Sequence, residues 1–185
     1  MKSVSMIFGG EAKVKIMRLF IFNPSLTLGP KEVAKRIKER VNVARRELRV
    51  LTKAGLVRRR TKGFSLDPNY SHLRAIENFL VDATPITSGE LIKKISRAGN
   101  IKLILTSGVF LHNKDSRVDI LVVGTHLKRP KLLSIMASLE AELGKELRYA
   151  VFETVDFQYR LGIYDKLIRD ILDYPHEKVL NKLGL

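Results

Sequence analysis

Residues 42–66 read NVARRELRVLTKAGLVRRRTKGFSL, and this stretch decides how the first part of the chain folds. Ala44, Leu48 and Leu51 repeat at helical spacing, Asn42 stands where it can cap, and Gly55 supplies a left-handed stop. Arg45, Arg46, Arg49 and Lys53 fall largely on the other faces, with Glu47 among them and placed to orient one. Past Gly55 the pattern reads as two short strands around a Lys62-Gly63 turn. The stem and tip of that hairpin carry Arg58, Arg59, Arg60 and Lys62, and like charges facing across a hairpin are costly for a mere surface.

Working outward, GGEAKVKIMRLFIFNP sets Val14, Met17 and Ile21, with Ile16, Leu19 and Phe20 beside them, on a broad apolar helix face closed by Asn23-Pro24. SLTL is a short strand candidate. GPKEVAKRI has Pro30 in a first-turn position and Glu32 near the positive end of the helix dipole, which predicts a second helix. The order is helix, strand, helix, helix, hairpin. Residues 1–72 also hold 17 Lys and Arg against 5 Asp and Glu, a net of +12 out of the chain's +15. A cationic excess on one region favours a polyanion, because each Lys or Arg set on a phosphate releases condensed counterions.

The element order and the phrase ARRELRVLTKAGLVRRRTKGFSLDPNY closely resemble the winged helix-turn-helix of ArsR/MarR-type transcription regulators over residues 10–70. The resemblance implies a third helix that enters the major groove of double-stranded DNA and a hairpin wing on the backbone or minor groove. Carried over by position, it makes Asn42, Arg45, Arg46 and Arg49 the recognition-helix candidates and Arg58, Arg59, Arg60 and Lys62 the wing candidates. Arginine suits guanine edges and a basic hairpin suits phosphates. The plainer alternatives are a solvated basic face or a winged helix that binds protein or RNA.

Residues 73–86 read as a connecting helix with Leu73, Ile76, Phe79 and Leu80 at helical spacing, open to the second domain or to the same helix of another subunit. A homodimer is expected on that basis. Residues 87–185 begin with a capping box, Thr87-Ser88-Gly89-Glu90, before a helix ended by Gly99. IKLILTSGVFL reads as a buried strand running into a turn and SRVDILVVG as a second strand. A helix over RPKLLSIMASLEAELG, a strand ELRYAVFE and a helical VDFQYRLGIYDKLIRDILDY follow. Strands alternating with helices make the chain α+β, a small α/β domain after the basic one.

This order and the strand phrase resemble the small nucleotidyltransferase-like domain of the polymerase-beta type, over residues 73–185. In active members a Gly-Ser pair after the first strand holds the phosphates, and Asp-x-Asp on the next strand holds metal ions, completed by a third acid. Alternate residues on a strand face one way, so such carboxylates converge on divalent ions that clamp a triphosphate. Here the Asp-x-Asp positions are Arg117 and Asp119, the pair reads Ser107-Gly108 in reversed order, and the third-acid position, Arg148 to Val151, has no acid. Glu153 comes late and Asp115 lies in a turn. A guanidinium repels Mg²⁺. The expectation is a vestigial site without catalysis, metal or cofactor, with Arg117 and Asp119 paired on one strand face. A small ligand held by the backbone of Thr106 to Gly108 is the lesser option.

Other chemistry finds little support. No cysteine is present, and His72, His112, His126 and His176 have no metal-ligand spacing. No apolar run approaches the ~20 residues that span a bilayer, and the N-terminus lacks a signal peptide's apolar core, so a cytoplasmic location without a membrane partner is expected. The sequence thus reads as a DNA-binding transcription regulator. Its second domain is a pseudoenzyme for dimerisation, partner binding or nucleotide sensing. The alternative is a metal-dependent nucleotidyltransferase targeted by its winged helix.

Overall fold

The computed structural model describes residues 2–83, 86–111, 113 and 115–185, so Met1, Thr84, Pro85, His112 and Lys114 lie outside the described residues. The chain is a mixed α+β protein in two compact units, Met1–Ile86 with Ala137–Glu146, and Thr87–Met136 with Leu147–Leu185. Residues 137–146, read above with the second region, are thus counted with the first. Among the described residues no helix is long and apolar enough to cross a membrane.

The first unit runs α1 (Lys2–Ile7), α2 (Glu11–Ile21), α3 (Pro30–Arg36), α4 (Val41–Lys53), β1 (Val57–Arg60), β2 (Gly63–Leu66) and α5 (Leu73–Asp82). The apolar spacing of α2 buries Val14, Ile16, Met17, Leu19, Phe20 and Ile21 against Val33, Ile37, Ala44, Leu48 and Leu51 of the next two helices. Each fully buried aliphatic side chain of this kind contributes roughly 1.5–3 kcal/mol. α1 has no counterpart in the sequence reading. SLTL does not form a strand; Leu28 alone bridges to Phe64, with Leu28 N donating to Phe64 O at 3.0 Å and Phe64 N to Leu28 O at 2.9 Å. That bridge explains Gly63, whose φ is +149° and where a Cβ would lie 2.5 Å from Leu28 O.

The hairpin pairs antiparallel from Val57↔Leu66 to Arg60↔Gly63. In α5, Leu80 is fully buried and Leu73 and Ile76 pack on the unit's own core, while Phe79, the fourth residue of the stripe, is exposed. Residues 137–146 meet α2: Asn23 Nδ2 donates to Leu19 O at 2.7 Å and to Gly144 O at 2.6 Å, and a Cβ on Gly144 would fall 2.6 Å from Arg18 C. Arg18 is buried there, donating from Nη2 to Ala83 O, and its burial pushes its pKa down to about 10.

The second unit contains α6 (Ser88–Ile95), β3 (Asn100–Thr106), β4 (Ile120–Thr125), β5 (Tyr149–Glu153), α8 (Thr154–Gly162), α9 (Lys166–Asp173) and β6 (Glu177–Asn181); α7 (Arg129–Leu143) is divided between the units after Met136. Its sheet has the order β5-β4-β3-β6, with β3 antiparallel to both neighbours and β4 parallel to β5. β3 and β4 are buried almost throughout, as central strands covered on both faces should be. The capping box is formed: Thr87 Oγ1 accepts from Glu90 N at 3.3 Å and Glu90 Oε2 accepts from Thr87 N at 3.2 Å. The last helical stretch is not continuous. Tyr164, with φ +55°, breaks it, and Asp165 Oδ1 accepts from Leu167 N at 2.9 Å to start α9. β6, absent from the sequence reading, closes the sheet edge beside β3.

Candidate functional site

α4 separates its residues cleanly. Ala44, Leu48 and Leu51 are buried, while Asn42, Arg45, Arg46, Arg49 and Lys53 are exposed on the opposite arc. The helix's single acid, Glu47, is only 5% exposed. Its carboxylate accepts from Arg46 Nε at 2.9 Å and pairs with Lys13 Nζ at 3.6 Å. Among the described residues, Arg45, Arg49 and Lys53 have no acidic partner. The outward surface of α4 is therefore cationic, and one of its arginines is tethered while two are free to bend toward an anion. Asn42 does not cap: Arg40 holds that position, and Asn42 Oδ1 accepts from Val43 N at 2.9 Å inside the first turn. Its amide is left exposed on the same arc as the arginines.

The hairpin divides its four cations. Arg58 is half-buried and pairs with Asp67 at 3.5 Å, and Arg60 Nε donates to Ser65 Oγ at 3.4 Å. Arg59 and Lys62 are exposed and, among the described residues, unpaired. Alternation along β1 sends Arg58 and Arg60 to one side and Arg59 to the other, so the triple arginine is not one uniform claw. Near α3 the first unit also has a cleft of about 580 Å³, lined by Lys35, Arg36, Lys38, Glu140 and Glu146 among others. Arg36 Nη1 and Glu146 Oε1 are paired there at 3.1 Å, and Lys38 Nζ donates to Ser138 Oγ at 2.9 Å.

In the second unit Asp119 is 1% exposed and its carboxylate is saturated. Oδ1 accepts from Val109 N at 2.9 Å and Oδ2 from Arg148 N at 2.8 Å, while the Arg148 guanidinium reaches Oδ2 from Nε at 3.4 Å and Oδ1 from Nη2 at 3.5 Å. Ser107 N donates to Asp119 O at 2.9 Å, so one of the backbone donors expected of a phosphate cradle at Thr106 to Gly108 is already used. Gly108, at φ +53°, has no alternative: a Cβ there would collide with Asp119 Oδ1. Ser107 Oγ donates to Pro175 O and meets Ser116 Oγ at 2.7 Å. The hydroxyl faces a neighbouring loop rather than an open cleft.

The expected Arg117–Asp119 pair is not formed. β4 starts at Ile120, so the alternation that would set residues 117 and 119 side by side does not extend back that far. Arg117 Nε instead pairs with Asp170 Oδ2 of α9 at 3.2 Å. The partner of Asp119 is Arg148, which stands at the expected third-acid position. The parallel register Ile120↔Tyr149 brings it there, and no local pattern announces a register between strands 29 residues apart. Glu153 is engaged at the far end of the sheet, where it accepts from Leu127 N at 3.0 Å and His126 N at 3.2 Å. Asp115 is exposed, its N–H donating to Asn113 Oδ1 at 2.9 Å. Among the described residues no three His, Asp or Glu side chains group as a metal site requires.

Compared with known proteins, the chain has no significant match to any protein-family model, curated protein or solved structure.

Proposed function

We propose that the chain is a DNA-binding transcription regulator. Its first unit acts on duplex DNA as a winged helix-turn-helix, with α4 in the major groove and the β1–β2 hairpin as the wing. Its second unit is a nucleotidyltransferase-like domain without catalysis, serving association, partner binding or ligand sensing in the cytoplasm. The observation that carries this reading is the outer face of α4: Asn42, Arg45, Arg46 and Arg49 lie on one exposed arc while the helix's only acid is turned inward. Guanidinium donors on a groove-sized helix suit guanine O6 and N7, and an exposed carboxamide suits adenine. Arg59 and Lys62 supply phosphate contacts.

Nucleotidyl transfer loses support for a chemical reason. A buried carboxylate that accepts two backbone N–H groups and carries its own guanidinium counter-ion is poorly placed to hold a divalent cation. The test is fluorescence anisotropy of genomic duplex fragments over a salt series. With about six phosphate contacts, log K should fall against log salt with a slope of roughly −5. Absence of salt-dependent binding, or binding indifferent to Arg45→Ala with Arg49→Ala, sinks the reading. Incorporation of labelled nucleotide with Mg²⁺ or Mn²⁺, abolished by Asp119→Asn, would install the enzyme in its place.

A further inference from the structure

The second unit carries its excess positive charge at one end. Residues 93–102 hold four Lys and Arg and residues 126–131 hold three, and neither stretch contains an acid, whereas residues 147–185 hold six of each sign. The fold joins the two stretches. Asn100 pairs with Thr125 where β3 begins and β4 ends, Lys128 N donates to Ala98 O at 2.7 Å, and a Cβ on Gly99 would lie 2.9 Å from His126 O. The connector from α6 to β3 and the connector from β4 to α7 therefore present Arg97, Lys128, Arg129 and Lys131 at the same end of the sheet, all four exposed. Among the described residues none of the four pairs with an acid. Glu153 reaches this end of the sheet, but its carboxylate accepts from His126 N and Leu127 N.

These cations do nothing for the local fold. Arg129 and Lys131 lie in the first turn of α7 with Lys128 just before it, at the positive end of the helix dipole, where an acid would stabilise the helix and none is present. Like charges gathered without counter-ions repel, and an external anion relieves that repulsion. Composition narrows what carries the anion. Neither stretch exposes a large apolar side chain, so a lipid surface finds no anchor and a protein partner no apolar centre to bury. Neither contains Phe, Tyr or Trp, the stacking platforms that hold single strands. Lysine is depleted in protein interfaces but serves as a point charge for phosphate. A duplex backbone, with one negative charge per ~1.7 Å of axis, asks for such cations and for no base-reading groups.

We propose that this end of the second unit binds the phosphate backbone of duplex DNA without reading its sequence. The choice of DNA over duplex RNA rests on the function proposed for α4; the cationic surface itself does not. The experiment is fluorescence anisotropy of a short labelled DNA duplex of random sequence with the full chain, over a salt series. Arg97→Glu with Lys128→Glu should weaken binding roughly tenfold or more and lower the salt slope by about 2, with an unchanged circular dichroism spectrum and Tm. Lys166→Glu with Arg169→Glu makes the same change of net charge on exposed positions of α9 and should leave the slope unchanged. Should the first pair misfold, Arg97→Gln with Lys128→Gln decides by the same slope. Each pair is also placed in a chain carrying Arg45→Ala with Arg49→Ala. Loss caused by those two alanines tests α4, and further loss caused by the Arg97 and Lys128 substitutions on that background tests this contact. A slope indifferent to Arg97 and Lys128 overturns the proposal, as do equal losses from the two charge-reversed pairs. So does a surface that holds duplex RNA, poly-glutamate or phosphatidylserine vesicles but not duplex DNA.

Discussion

The outer face of α4 and the start of β4 both set arginines beside a buried carboxylate, with opposite results. Glu47 holds Arg46 and Lys13 and is outnumbered, so Arg45, Arg49 and Lys53 remain open to solvent. Asp119 is the better satisfied acid, holding two backbone N–H groups and one edge of the Arg148 guanidinium through Nε and Nη2. Arginines beside a buried acid therefore leave an open cationic surface in one unit and a closed structural joint in the other. What differs is the count of donors around each acid.

The largest effect that tests this contrast is expected at the joint. Asp119→Ala strands the N–H groups of Val109 and Arg148 and leaves Arg148 without its counter-ion, which should cost about 4 kcal/mol in urea unfolding. A loss below about 1 kcal/mol would show that the joint holds nothing. Next comes Arg45→Ala with Arg49→Ala, expected to weaken duplex binding about 100-fold while stability moves by less than about 0.5 kcal/mol. An equal loss from Arg117→Ala, whose arginine is tied to Asp170, would break the assignment of base contacts to the first unit.

Smaller effects sharpen the picture. Glu47→Gln should lower stability by about 1–2 kcal/mol without lowering DNA affinity, since it removes a negative charge behind a cationic face. A fall in affinity would make Glu47 the group that aims Arg46. Arg18 gives a pH signature. Its folded pKa of about 10 lies below the ordinary arginine value, so the unfolded chain binds the proton more tightly. The cost of burying its charge is complete below pH 10 and fades as pH rises through that value, so wild type should gain on Arg18→Met between pH 8 and 11 in paired thermal melts. The smallest change is Asn42→Ala, expected to alter stability by less than about 0.5 kcal/mol because the residue caps nothing; a cost near 1 kcal/mol would restore it as a cap.

Much of the first unit was legible because its signals are local. Helical spacing placed Val14, Met17, Ala44 and Leu48 inward, and Lys62-Gly63 placed the hairpin turn. α1 was missed because a short helix carries too little periodicity. The Leu28 bridge was overread as a strand because β pairing depends on a partner 36 residues away. At the candidate site, the arc of arginines on α4 could be read from spacing, whereas the cap could not, since the helix starts two residues earlier than a cap at Asn42 requires.

The sequence by itself determined where the charge lies, which faces of α2 and α4 are apolar, and that Arg117, not a second acid, stands two residues before Asp119. Only the tertiary structure decided which arginine pairs with that acid. Pairing along one strand follows from the two-residue alternation and can be written down from the letters, but the register between β4 and β5 is set by how two distant segments share a sheet. That register put Arg148, not Arg117, within reach of Asp119.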